Sequence, residues 1–193
     1  MIEYEINRAD LAFVQRKLKG LEGETPKVLK NALNKTAKEA RRKLAEGAQS
    51  AYTVKIGGFN RHMKIQAATL AKLEAVIRSN GKPLTVKSFS NRGGKNKRGG
   101  AAAAADIVKS GLKQIISGTS GNKAFKPSGG NIKGLVVQRE GAGREPIKVL
   151  HSNSVPKMLE KVYDGERGVN RALKKTIAEG LHRNIEAEIA KLT

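Results

Sequence analysis

At 193 residues, with 38% hydrophobic and only 4% aromatic content, the chain is sized for a single domain with a thin core of mostly Leu, Ile, Val and Ala. It has no cysteine, which excludes a disulfide framework and any thiolate metal site. The formal charge of +21 is unevenly placed: residues 75–139 hold thirteen Lys and Arg and a single acid, Asp106, and so carry +12 of it. A surface made only for solubility has no need to exclude acids over such a length, so the window points to a facing polyanion.

Taken in chain order, Ile2, Tyr4 and Ile6 alternate with a period of two, which predicts a short strand. The start, MIEYEINRADL, has none of the apolar run of a signal peptide, and no 18-residue apolar stretch follows, so the expectation is a soluble chain made in the cytoplasm. Asp10 is the expected cap of a short helix carrying Leu11, Phe13, Val14 and Leu18 and ending near Gly20. Thr25 is the expected N-cap of the next helix and Pro26 its first residue, where a missing N–H costs nothing. Leu29, Ala32, Leu33, Thr36, Ala37, Ala40, Leu44 and Ala48 then recur at helical steps, with Lys35, Lys38, Arg41, Arg42 and Lys43 largely off that stripe.

After Gly57-Gly58 the segment 59–70 reads as a further helical turn or two. Val76-Ile77 and then Leu84, Val86 and Phe89 read as strands, with Pro83 at the start of the second. Residues 91–105, NRGGKNKRGG and five alanines, have no apolar period and read as a long flexible basic loop, about 90–105. Ile107, Val108, Leu112, Ile115 and Ile116 resume an apolar pattern, and a second loop follows over 117–131. GLVVQRE and PIKVLH are expected to pair as strands across Gly141–Gly143. Ser154 or Asn153 caps a short helix through Val162, and a last helix begins near Val169. Its apolar residues, Val169, Leu173, Ile177, Leu181, Ile185 and Ile189, step by four, and each step drifts about 40° on a helix of 3.6 residues per turn. Either this helix wraps over the body, or its far end meets another subunit, which makes Leu181, Ile185 and Ile189 candidates for a subunit interface. The order predicts one α+β domain over 1–193: a long N-terminal helix, a central mostly antiparallel sheet with long basic loops, and a C-terminal helix.

Catalytic chemistry finds little support. His62, His151 and His182 each stand apart from other ligand types, HExxH and paired Asp-x-Asp are absent, and the acids gather towards the ends of the chain. No catalytic, metal or cofactor site is therefore expected. RGGKNKRGG lacks the spacing of a phosphate-binding loop, although its cations suit phosphate contacts. Without Trp, and without a finger, helix-turn-helix or RNP pattern, neither base stacking nor sequence readout is expected. What remains is charge- and shape-based contact with a duplex backbone. A membrane surface fits less well, because the cations are scattered and not ranked on one amphipathic face with aromatic anchors.

The stretch REPIKVLHSNSVPKMLEKV, residues 144–162, resembles the closing strand and following helix of the minor tail protein Z family of tailed bacteriophages, with Pro146-Ile147 and Val155-Pro156 at the matching positions. Further segments agree in order. ALNKTAKEARRKLAEGAQSAYTVK is similar to the family's long first helix and the turn after it, and FNRHMKIQAAT to its basic second helix. AVIRSNGKPLTVKSFS is similar to its first sheet strands, and GNKAF and VVQREG complete the series. The resemblance implies a non-enzymatic virion protein at the head-proximal neck of the tail. It would be a tail completion subunit in a homo-oligomeric ring, commonly sixfold, beside tail terminator, tail tube or head–tail connector proteins. Such a ring helps join tail to head and holds or passes the genomic double-stranded DNA. On that reading Arg78, Lys82, Lys87, Arg92, Lys95, Lys97 and Arg98 face the lumen. The alternative is a free nucleic-acid-binding protein without sequence preference.

Overall fold

The computed structural model describes residues 2–5, 8–17, 22–94, 101–167 and 173–192. Strand β1 (Ile2–Glu5) is followed by helix α1 (Arg8–Lys17). Asp10 lies inside the first turn of α1 and not at the cap expected of it. The 3-10 turn Glu22–Glu24 runs directly into helix α2 (Thr25–Ala51), so Glu24 takes the cap position without a side-chain bond and Thr25 is already helical and buried. Over 27 residues α2 is about 40 Å long at 1.5 Å per residue. Its entire expected stripe, from Leu29 to Ala48, is buried.

Residues 59–70 do not continue as helix. They form a 3-10 turn, Asn60–His62, and then strand β2 (Lys64–Gln66), which pairs antiparallel with β3 (Glu74–Arg78). β1 pairs with the other edge of β3. Leu84, Val86 and Phe89 do not alternate along one strand either: Val86–Ser88 is a 3-10 turn, and β4 (Ser90–Arg92) begins after it. The five alanines expected in a flexible loop instead lead into strand β5 (Ala104–Asp106), flanked by β4 and β6 (Lys113–Gln114). Ala102, Ala103, Ala104 and Ala105 are all buried. Their physical role is close approach: a Cβ on Gly94 would lie 2.2 Å from the Ala103 nitrogen, so two backbones touch where side chains would not fit. Strands β7 (Val137–Arg139) and β8 (Ile147–Val149) pair antiparallel as expected. The chain closes with α3 (Val155–Tyr163), capped by the Ser154 side chain, and α4 (Leu173–Ile189). The expected start of the last helix at Val169 lies outside the described residues. The architecture is α+β, with three small antiparallel sheets in place of one central sheet.

Two apolar clusters lie along α2. In one, Leu44, Ala48 and Tyr52 pack with Phe59, Met63, Ile77 and Phe89, with Met158 and Leu159 of α3, and with Leu173 and Ile177 of α4. In the other, Val28, Leu29, Ala32 and Leu33 pack with Val14 of α1, Ala75 of β3, and Leu181, Ile185 and Ile189 of α4. The four-residue stripe of α4 is thus accommodated by wrapping over α2. This corrects the expectation that Leu181, Ile185 and Ile189 are covered by another subunit: they are 7%, 0% and 8% exposed within the single chain. A third cluster joins Val86, Ala103, Ala105, Ala124 and Val136 beneath the β4–β5–β6 sheet.

Polar groups fasten the α2–α4 contact. Asn184 Nδ2 donates to Thr36 Oγ1 at 3.0 Å, Thr36 Oγ1 donates to the Ala32 carbonyl at 2.8 Å, and Arg183 meets Glu39 at 3.0 Å. Glu188, nearly buried, accepts from Asn31 at 3.3 Å and from Lys191. The Lys191 hydrogen bond, followed by that from Asn31, holds its carboxyl below the usual range against the opposing effect of burial.

Two outcomes follow from this packing. Ile185→Ala should destabilise the chain by about 2–5 kcal/mol, as truncation of a closed core does, with a urea midpoint independent of protein concentration. A midpoint that rises with concentration would return Ile185 to a subunit interface. Glu188 has a depressed folded pKa, so its stabilisation is present above the unfolded value of about 4.3 and is lost as pH falls through the folded one. Glu188→Gln should therefore flatten the acid side of the melting temperature against pH.

Candidate nucleic-acid interface

Of the seven lumen candidates, Arg78, Lys82, Lys87 and Arg92 are described, and all four are exposed. Lys95, Lys97 and Arg98 lie outside the described residues. Arg78 ends β3, Lys82 follows it, Lys87 sits in the 3-10 turn before β4, and Arg92 ends β4 opposite Ala104. Asn91 fixes that turn by donating to the carbonyls of Phe89 at 2.6 Å and of Val86 and Lys87 at 3.2 Å. Among the described residues none of the four cations meets a carboxylate within ion-pair distance.

The one acid of the window does not neutralise them. Asp106 Oδ1 accepts from the Ser110 backbone N–H at 3.0 Å and closes a local turn, while its own carbonyl accepts from Thr53 Oγ1. Positive charge here is therefore left for an external partner or for counterions.

Arg78 is drawn into a shared recess. Antiparallel register sets Lys64 of β2 directly opposite Arg78 of β3, so both side chains leave on the same face, while Ile65 and Ile77 beneath them turn to the core. The 3-10 turn before β2 adds Arg61 and His62. Together with Gln66 and Asn80 these residues line a groove of about 360 Å³ that contains no acid. Arg61 is laid over Gly57, whose backbone is left-handed at φ 71°: a Cβ there would come 2.5 Å from the guanidinium Nη1. The same nitrogen donates to the Ile56 carbonyl at 3.5 Å. His62 Nε2 is buried and has no hydrogen-bond partner among the described residues. Lys82, Lys87 and Arg92 do not line this groove. A second recess, of about 400 Å³, carries Lys109, Lys113 and Arg167, but Ser110 in its wall is the residue bonded to Asp106.

Reading by sequence missed Arg61, His62 and Lys64 as a site because they were assigned to a helix. The available signal was local: Lys64, Ile65 and Gln66 alternate polar, apolar, polar, as an edge strand does. The motif positions Pro146, Ile147, Val155 and Pro156 have structural places. The Pro146 carbonyl accepts from Glu140 N–H at 3.0 Å, Ile147 pairs with Arg139, and Val155 and Pro156 open α3. His151 and His182 are exposed, and His182 meets the Phe13 ring edge-on at 6.4 Å. Among the described residues no group of three His, Asp or Glu is placed to hold a metal ion, and no helix is long and apolar enough to cross a membrane.

The fold thus combines a long alanine-striped helix and small antiparallel sheets with exposed cations that meet no carboxylate among the described residues. The profile of the prophage minor tail protein Z (GPZ) family matches residues 11–193, and the chain belongs to that family. It is thus a phage tail protein, a component of the virion. No curated protein and no solved structure matches the chain.

Like charges placed directly opposite across a strand pair cost stability, about 0.2–1 kcal/mol by the scale of such pairs. Lys64→Glu should therefore raise the melting temperature at low salt, with the gain fading as salt is added. An unchanged or lowered melting temperature would mean that Lys64 and Arg78 do not repel in the folded chain.

Proposed function

We propose that the chain is a non-enzymatic tail completion subunit at the head-proximal neck of the tail, which helps join tail to head and holds or passes the genome end. The observation that carries this reading is the set of exposed cations, Arg78, Lys82, Lys87 and Arg92, that no described carboxylate neutralises, in a member of a phage tail family. Contact with the duplex is sequence-blind on this reading, since the chain has no Trp and few aromatics for stacking. The partners are other copies of the chain in a ring, the adjoining terminator, tube or connector proteins, and the DNA backbone.

With Leu181, Ile185 and Ile189 closed inside the chain, support for a contact between copies moves to β6. It is the end strand of its sheet, and Leu112 and Ile116 beside it are each 48% exposed. Exposed apolar side chains at the end of a sheet favour contact with another chain.

The DNA reading is tested by replacing Arg92, Lys95, Lys97 and Arg98 together with Ser. On the sequence expectation of a basic loop there, the melting temperature should stay unchanged, because surface changes rarely move stability by more than about 0.5 kcal/mol. Particles carrying the variant should lose genome retention or delivery, and normal infectivity would overturn the reading. For the assembly, Leu112→Asp with Ile116→Asp should shift the light-scattering mass towards the monomer without lowering the melting temperature. An unaltered oligomer would exclude this edge.

A further inference from the structure

We propose that the groove of Arg61, His62, Lys64 and Arg78 is a discrete seat for one phosphate of a nucleic-acid backbone; this rests on the reading above that this surface meets duplex DNA. The seat is built and not merely charged. Strand register fixes Lys64 beside Arg78, and the left-handed Gly57 leaves room for the Arg61 guanidinium, which is steadied by the Ile56 carbonyl. His62 lines the same wall with its Nε2 buried, and Gln66 and Asn80 add neutral amides. Two Arg and a Lys line one groove with no acid in the wall, an arrangement that folding alone disfavours and a bound phosphate would reverse. Arg forks match tetrahedral phosphate oxygens by paired hydrogen bonds, while the amides complete the shell. Arg61, Lys64, Gln66, Arg78 and Asn80 are exposed, so the groove is open along the surface, as a continuous polymer requires and an enclosed small-anion pocket does not. A seat for a phosphate fixes position along the backbone and by itself carries no sequence information.

The test uses the full chain and a short blunt DNA duplex, with affinity measured by fluorescence anisotropy across a salt series. Arg61→Gln with Arg78→Gln should weaken binding on the order of tenfold at low salt and reduce the log–log salt slope by about 0.9, the share of one phosphate. Lys148→Gln, an exposed cation elsewhere, is the charge control and should leave the slope nearly unchanged. Gly57→Ala should reproduce the loss in part by displacing Arg61, with circular dichroism confirming that it folds. An equal loss per charge removed from Lys148→Gln, half that of the double variant, would overturn the seat in favour of bulk charge. Duplex binding that is untouched by Arg61→Gln with Arg78→Gln but lost when Lys82, Lys87 and Arg92 are replaced would overturn the seat and leave the DNA reading standing. A wild-type chain that binds no duplex overturns both. Binding of inorganic phosphate at the groove without any change in duplex affinity, or of polyglutamate in place of duplex, would assign it to a small anion or an acidic protein and overturn the proposal.

Discussion

Alanine and glycine at a helix contact leave little between two backbones, and the close packing of α3 and α4 on the alanine side of α2 is what the remaining structure depends on. Leu29, Leu33 and Leu44 interrupt Ala32, Ala37, Ala40, Ala45 and Ala48 along one face, so the same helix supplies both bulk and close approach. A Cβ on Gly47 would lie 2.8 Å from Val162, which shows how tightly α3 is drawn in. Because α2 runs through both larger clusters, it fixes the position of β3 through Ala75 and Ile77. β3 in turn fixes Arg78 and, through register, Lys64. The groove is therefore set by the core, several steps removed from the residues that line it.

Buried polar groups give that packing a unique register. Thr36 and Asn184 are almost fully buried and bonded to each other, so sliding α4 along α2 by a turn would take the Asn184 amide from its Thr36 acceptor, while Thr36 keeps its bond to Ala32. Asn34 performs a similar task for the connection after β2, donating to the Ala68 carbonyl at 3.1 Å and accepting from its N–H at 2.8 Å. The apolar stripe of α4 alone tolerates more than one arrangement, because it drifts around the helix. The polar pairs select one.

Charge is organised on a different principle. Acids elsewhere pair with cations on the helices, as in Arg42 with Glu46 and Lys175 with Glu179. Such exposed pairs add little stability but keep the local field balanced. In the basic window Arg78, Lys82, Lys87 and Arg92 meet no carboxylate among the described residues, and the one acid closes a turn.

Periodicity and capping residues are local signals, and they determined α2 with its whole buried face, the β7–β8 pair, the Ser154 cap of α3 and the α+β class. Composition determined the polyanion expectation, because net charge is a sum and needs no geometry. Short segments were misread where local pattern is ambiguous: Phe59 and Met63 stand a helical step apart but Met63 and Ile65 a strand step, and the alanine run has no period at all. Their states were decided by long-range contacts, β2 by pairing with β3 and β5 by burial beneath Gly94 and against Ala124. Tertiary structure alone closed Ile185 and Ile189 against α2, and it alone brought Arg61 and Lys64 to Arg78. Both depend on which distant residues become neighbours, and no local period records that.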